Sequence, residues 1–224
     1  MPIFHQYKLV FIHIPKNAGT SMCSWLGLTN LDNGSADTEV LFGQHRGVQL
    51  QHLKYDEIPV HLDRPLPDDY RYLAIVRSPR DRLLSEYRWL KSHPFWSRRL
   101  ERHLGTLTDF LSHLEDLHDQ GKLNESFVHF HTQSSFLPPP SLHPKVTVRL
   151  MAFENLHSEL PTLAKMFQLP LDPEHFPHIN KSPPYEACES EMRHLDRTVA
   201  KVYDRDLTLH SMLSGPQEFA KSDV

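Results

Sequence analysis

The stretch Tyr7 to Ile14 restricts the fold of this chain more than any other. It is rich in β-branched and aromatic residues, with apolar side chains on both faces. A strand covered on both sides by helices reads as such a continuous run, whereas a half-exposed antiparallel strand alternates. Pro15 ends the run, Gly19 permits a tight turn, and Thr20 or Ser21 caps a helix reaching about Leu28. Thr29 to Leu41 then turns polar and reads as a loop.

The later elements agree with a parallel sheet. Tyr70 to Val76 forms a second strand, which runs directly into Ser78-Pro79-Arg80-Asp81. Ser78 as cap, Pro79 at the first helical position and Asp81 reaching back make a strong helix start. Leu83, Leu84, Tyr87 and Leu90 recur at helical spacing, and Phe110, Leu111, Leu114 and Leu117 line one face of a helix from Leu107 to Gln120. A short helix is expected from Gln44 to Tyr55, and a strand at Val146, Val148 and Leu150. A helix from Glu154 to Phe167 is expected to break or start afresh at Pro161. The last helix covers Ser190 to Leu213, with Met192, Leu195, Val199, Val202 and Tyr203 turned inward. Strands alternating with helices give an α/β class, a P-loop-like three-layer fold with a central parallel sheet flanked by helices. At 224 residues this is one domain over 1–224, with a frayed polar tail from about 214. The 18 prolines against 8 glycines point to long, stiff connecting loops, Pro138-Pro139-Pro140 among them.

A formal charge of -4 argues against a general nucleic-acid binder, which is usually basic. The two cysteines, Cys23 and Cys188, show no metal-binding spacing, and Cys23 falls in a helix as a small buried residue. The first residues have a short apolar run broken by His13 and Lys16, without a cleavage site, and no stretch approaches a membrane span. The expectation is a soluble, cytoplasmic protein with no membrane span.

The segment His13-Ile14-Pro15-Lys16-Asn17-Ala18-Gly19-Thr20-Ser21 carries the most chemistry. A strand, a turn and a helix start aim backbone N–H groups at an anion, Lys16 adds a full charge, and Thr20 and Ser21 add hydroxyls. Taken alone, it fits an anion site and an ordinary strand–turn–helix with an exposed lysine equally well. A triphosphate-binding Walker loop is disfavoured, because its lysine follows the second glycine, whereas Lys16 comes first. Arg77 ends the second strand and Ser85 lies two turns into the next helix, so the pair forms a second candidate phosphate cradle. The competing reading pairs Arg80 and Arg82 with Asp81 and Glu86 on a solvated helix. Ligands of such sheets collect at the carboxyl ends of the strands, so both sites face one crevice. A nucleotide with a 5′ and a 3′ phosphate would span them.

With both motifs in place, the sequence resembles the sulfotransferase superfamily, specifically the carbohydrate sulfotransferase family that includes heparan sulfate 2-O-sulfotransferase. Ile14-Pro15-Lys16-x-x-Gly19-Thr20-Ser21 is similar to that family's 5′-phosphosulfate loop, and Arg77-x-Pro79-x-x-Arg82-x-x-Ser85-x-Tyr87 to its 3′-phosphate motif. Weaker similarities run through Gln133, Phe153 to Leu156, Asn180 to Ser182 and Val202 to Asp206. The resemblance implies 3′-phosphoadenosine-5′-phosphosulfate as cosubstrate, held by Lys16, Asn17, Ala18, Gly19, Thr20, Ser21, Arg77 and Ser85, with Lys181 and Ser182 closing over it. It implies in-line transfer without a metal to an acceptor hydroxyl, on a glycan, with Lys16 stabilising the leaving phosphate oxygen. A general base must take the acceptor's proton. His45 is the candidate, placed after the first helix where similar proteins carry a histidine. With 17 histidines, an ordinary polar loop histidine remains the alternative, and His13 is the rival. The chain departs from the Golgi members in lacking their anchor and stem, and Asn17-Ala18 replaces their commoner Thr-Gly or Thr-Ala. Two other classes stay open, a kinase-like phosphotransferase and a non-catalytic nucleotide-binding module. Acceptor identity and oligomeric state are not legible.

Overall fold

A computed structural model of the chain describes residues 1–28, 36–62, 66, 68–99, 104–139, 146, 148–179 and 185–214. The strands are β1 (Ile3–Phe4), β2 (Leu9–Ile12), β3 (Gln44–His45), β4 (Val48–Gln49), β5 (Arg71–Val76) and β6 (Val148–Ala152). The helices are α1 (Gly19–Trp25), α2 (Ile58–His61), α3 (Pro79–Ser92), α4 (Pro94–Arg99), α5 (Leu107–Asp119), α6 (Leu156–Phe167), α7 (Glu189–Val202) and α8 (Asp204–Ser214). The main sheet has the order β1-β2-β5-β6. β2, β5 and β6 run parallel, with Ile12 beside Ala74 and Val76 beside Ala152, while β1 is antiparallel to β2. The fold is therefore α/β with a mixed sheet, not a wholly parallel one.

Side chains alternate across the sheet, and both faces are apolar, as the unbroken run Leu9 to Ile12 requires. Phe11, Leu73, Ile75 and Met151 pack with α1 and α6 on one face. Val10, Ile12, Tyr72 and Ala74 pack with Leu50, Leu53, Ile58 and Phe136 on the other. A third apolar cluster joins α3, α5 and α7 through residues such as Leu83, Tyr87, Phe110, Leu114 and Val199. Among the described residues no helix is long and apolar enough to cross a membrane.

Helix ends follow local chemistry. The Ser78 hydroxyl accepts from the Asp81 N–H, and Pro79 opens α3. The helix stops at His93, which adopts the extended backbone favoured before Pro94. Thr106 and Asp109 form a reciprocal capping box on α5.

Several expectations are corrected. Gln44 to Tyr55 is not a helix but the β3–β4 hairpin followed by two short 3-10 turns. Gly43, Arg46 and Gly47 all take positive φ there, which no helix tolerates. α1 ends at Trp25 rather than Leu28. α6 runs on through Pro161, because Leu156, Leu160, Leu163 and Phe167 bury on both sides of it. The final helix is split at Tyr203, whose hydroxyl donates to the Phe130 carbonyl at 2.7 Å. The expected frayed tail falls almost wholly outside the described residues.

Candidate functional site

The two loops that follow β2 and β5 leave the same edge of the sheet, because these strands are parallel neighbours in register. Both border one cavity of about 880 Å³, a size suited to a nucleotide or drug-sized ligand. Pro15, Lys16, Ala18, Gly19, Thr20 and Ser21 line it from the first loop. Arg77, Ser85 and Arg88 line it from the second loop and α3.

The first loop is strained. Lys16 and Ala18 adopt left-handed backbone, with φ of 68° and 59°. For residues bearing a Cβ this costs about 1–2 kcal/mol each, and such strain persists only where surroundings impose it. The surroundings are visible. Asn17 is buried and its side-chain amide donates to the Ile75 carbonyl at 2.7 Å and to Gln133 Oε1 at 2.6 Å. Its side chain is thus turned toward the sheet, and Asn17 does not line the cavity. Gly19 is needed for closeness rather than for its own torsions. A Cβ there would lie 1.8 Å from the His13 ring. Ser21 accepts the Ile179 N–H at 3.0 Å, tying the loop to the segment that carries His178 and Ile179 at the cavity wall. α1 spans only seven residues, so Lys16 rather than the helix end supplies the loop's charge. Burial holds the Lys16 ammonium below the ordinary lysine pKa, opposed by Glu86 and assisted by Arg77 and Arg82. Its Nζ rests 5.1 Å from the Trp89 ring centroid.

Arg77 reaches back across the strands. One Nη donates to the Lys16 carbonyl at 3.1 Å, and the guanidinium stacks 4.3 Å from the Phe153 ring. Its Nε is buried without a hydrogen-bond partner, as is the Nε of Arg88. Arg88 follows Ser85 by three positions on α3, hence on the same face. Its Nη donates to the Tyr185 carbonyl at 3.4 Å. Two cations converge here with unsatisfied donors beside a serine hydroxyl, and burial, with the Arg88 charge adding to it, holds the Arg77 pKa below its ordinary value. An anion is the group that would satisfy them.

Gln133 couples the loops. Its side chain accepts from the Arg77 N–H at 3.0 Å and from Asn17, and donates to the Arg77 carbonyl at 2.8 Å. Asp206 holds Gln133 in turn, accepting the backbone N–H groups of Gln133 and Ser134 at 2.6 and 2.9 Å. Glu154 accepts the Ser78 N–H at 2.9 Å and a bond from His210 at 2.9 Å. Arg80 pairs with Asp196 on α7, so the solvated-helix reading holds for Arg80 with a different partner. It fails for Arg82, which is buried and donates to the carbonyls of Pro15 and His129.

Six histidines gather at the cavity, none of them His45. His45 pairs with Val48 in the hairpin and is not among the lining residues. His13, His52, His93, His129, His157 and His178 are. His13 contacts the His52 ring at 4.6 Å, and His52 contacts His129 at 5.1 Å. Burial pushes the His13 pKa down to about 3 and that of His52 well below the usual range, so both are neutral. Lys181 and Ser182 lie outside the described residues. Among those described, no group of three or more His, Cys, Asp or Glu could hold a metal ion.

Sequence reading missed Arg88, Gln133's bridging role, Glu86 and the histidines other than His13. Arg88 had a signal in its three-residue spacing from Ser85. Glu86 adjoins Ser85 on α3 and Gln133 stood among the weaker similarities, but their partners and the histidines come from distant segments and had no local signal.

The arrangement is a cationic, two-lobed anion cradle beside a cluster of imidazoles. No curated protein and no solved structure matches the chain. The model of the sulfotransferase family matches residues 1–211, nearly the whole length, with both loops inside the match, and the chain belongs to that family.

Proposed function

We propose that the protein transfers a sulfuryl group from 3′-phosphoadenosine-5′-phosphosulfate to a hydroxyl of a carbohydrate acceptor. The observation that carries this reading is the pair of cationic loops, Lys16 to Ser21 and Arg77 with Ser85, which border one cavity and are tied by the Arg77–Lys16 bond. One phosphate belongs on each lobe. The unpartnered Nε atoms of Arg77 and Arg88 fit the 3′-phosphate, and Lys16 with the Thr20 and Ser21 hydroxyls fits the 5′ side. Lys181 and Ser182 are assigned to close over the nucleotide, as the family resemblance implies.

In this reading Lys16 leaves the Trp89 face for the bridging oxygen between sulfur and the 5′-phosphate. There it stabilises negative charge as the S–O bond breaks, an interaction stronger in the transition state than before it. A histidine accepts the acceptor's proton. The imidazoles that line the cavity compete with His45 for this role. The polar wall formed by Gln49 and Gln51, whose amide oxygens are buried without partners, supports an acceptor carrying several hydroxyl donors.

Thermal melting tests the two-lobed cradle. Adenosine 3′,5′-bisphosphate should raise the melting temperature more than adenosine monophosphate does, and equal shifts would sink the two-site reading. A larger shift with ATP and magnesium would favour a phosphotransferase. Radiolabelled phosphosulfate offered with a panel of glycans and small alcohols then identifies the acceptor, and labelling of none of them would reject sulfuryl transfer to this class.

A further inference from the structure

We infer that His129 is the general base of the transfer and that Glu86 positions it. The inference rests on the sulfuryl-transfer reading above.

His129 sits in a short 3-10 turn, Val128–Phe130, and lines the same cavity as Lys16 and Ser85. Glu86, the residue after Ser85 on α3, is buried with 1% exposure. The Nδ1–H of His129 donates to both Glu86 carboxylate oxygens, at 3.0 and 3.1 Å. A carboxylate accepts only, so it fixes the proton on Nδ1 and leaves the Nε2 lone pair as the basic atom. The ring plane is clamped as well. Phe127 stacks on it at 4.6 Å and 20°, and Trp89 at 5.0 Å and 29°. The same Trp89 indole carries Lys16 Nζ. One aromatic ring thus sets both the cation for the leaving oxygen and the acceptor of the proton.

The other lining imidazoles are less suited, His157 and His178 being exposed and packed on each other at 4.8 Å. His52 spends its Nδ1–H on the His13 carbonyl at 2.9 Å, and it has imidazole neighbours rather than a carboxylate to balance a new charge. His13 packs against Gly19 and meets the Cys23 thiol through Nδ1 at 3.9 Å. His93 packs at a 41° tilt against Trp89, with its Nδ1 buried and unpartnered. A buried imidazolium needs a compensating anion, and Glu86 offers it to His129.

The step balances as follows. The acceptor O–H bond breaks and its proton goes to Nε2 of His129. The acceptor oxygen forms its bond to sulfur while the bond from sulfur to the 5′-phosphate oxygen breaks, and that electron pair stays on the phosphate beside Lys16. The products are a sulfate ester, adenosine 3′,5′-bisphosphate and an imidazolium facing Glu86.

The test uses the full chain, radiolabelled phosphosulfate and whichever panel alcohol the wild type sulfates. His129→Ala should lower kcat by about 100-fold or more, the usual reach of general-base catalysis, with the Kd for adenosine 3′,5′-bisphosphate within twofold. Free imidazole should restore transfer, because the variant leaves a slot between Phe127 and Trp89. Glu86→Gln should lower kcat by about 10-fold or more with KM for phosphosulfate unchanged, the split expected of a residue that orients a base. If His129→Ala fails to bind the bisphosphate, the double variant with Glu86→Gln removes the unpaired carboxylate and takes its place. Transfer within threefold of wild type in a variant that binds nucleotide overturns the assignment. So does the absence of imidazole rescue, or a loss confined to His45→Ala. A wild-type protein that binds the bisphosphate yet sulfates nothing defeats the functional reading itself, a separate failure.

Discussion

Replacing Gln133 by leucine should loosen both halves of the nucleotide cradle at once. The side chain is wholly buried, and leucine fills most of its volume, so the packing change is small. Three hydrogen bonds disappear: those with the Arg77 N–H, the Arg77 carbonyl and Asn17 Nδ2. Asn17 keeps its bond to the Ile75 carbonyl, so the Arg77 peptide groups bear the loss. An unsatisfied buried polar group costs about 1–3 kcal/mol, and two give roughly 2–6 kcal/mol. For a chain of this length each kcal/mol lowers Tm by about 2–4 °C, so a drop on the order of 10 °C is expected. Urea unfolding followed by circular dichroism, together with a thermal melt, measures it. The spacing of the two loops should also relax, so the preference for adenosine 3′,5′-bisphosphate over the monophosphate should shrink. A loss below about 1 kcal/mol, or an undiminished preference, would refute the view that Gln133 holds the two loops in register.

Lys16→Ala should lower kcat by about 1000-fold, the scale seen when one preorganised charge stabiliser is removed, in the labelled-sulfate assay. Arg88→Met should weaken bisphosphate binding by about 10-fold or more, as loss of a charged hydrogen bond implies, and leave monophosphate binding unchanged by calorimetry. Gly19→Ala should destabilise the fold by about 1–3 kcal/mol, the usual cost of overpacking. The same change made in a His13→Ser background should cost little, since the clash is with that ring, and a double-mutant cycle reads the difference. Stability should decline as pH falls from about 6.5 toward 4. His13 and His131 have folded pKa values of about 3 and about 4, and that of His52 is also depressed, burial being the main cause in each. The unfolded chain therefore takes up protons in that window while the folded one does not. A flat stability profile between these limits would show that the imidazoles are not held neutral.

The elements around the cradle were readable because their signals are local. The unbroken apolar run before Pro15 and the Ser-Pro start of α3 depend on neighbours within a few positions, and both elements form. The strand is shortened to Leu9–Ile12, however, and the Ser78 N–H is taken by Glu154 rather than by Asp81 reaching back. The hairpin at His45 was misread because positive φ at Arg46, a residue with a Cβ, has no clear sequence signature. The glycine of the first loop was read for the wrong reason. The left-handed torsions fall on Lys16 and Ala18, and Gly19 is small because His13 lies against it. His129 and Glu86 stand 43 positions apart, and Gln133 and Asn17 stand 116 apart. No periodicity records such pairs, since they depend on how α3 and the 3-10 turns settle on the sheet edge.

One helix accounts for most of the site's geometry. α3 presents Arg82, Ser85, Glu86, Arg88 and Trp89 within two turns. Arg82 uses Nε on the Pro15 carbonyl and Nη2 on the His129 carbonyl, at 3.1 and 2.9 Å, so a single guanidinium fixes the loop before Lys16 and the turn bearing His129. Only a forked donor of that shape reaches both, and a lysine ammonium at this position would lose the planar fork. Because helix backbone is stiffer than loop backbone, the groups on α3 keep their mutual spacing while the nucleotide and acceptor come and go. The strained first loop follows from the same logic. Its left-handed residues are held by Asn17 and Arg77 from the sheet side, and by Arg82 from α3. The loop is therefore already set before an anion arrives, and the binding energy of the nucleotide need not be used to shape it.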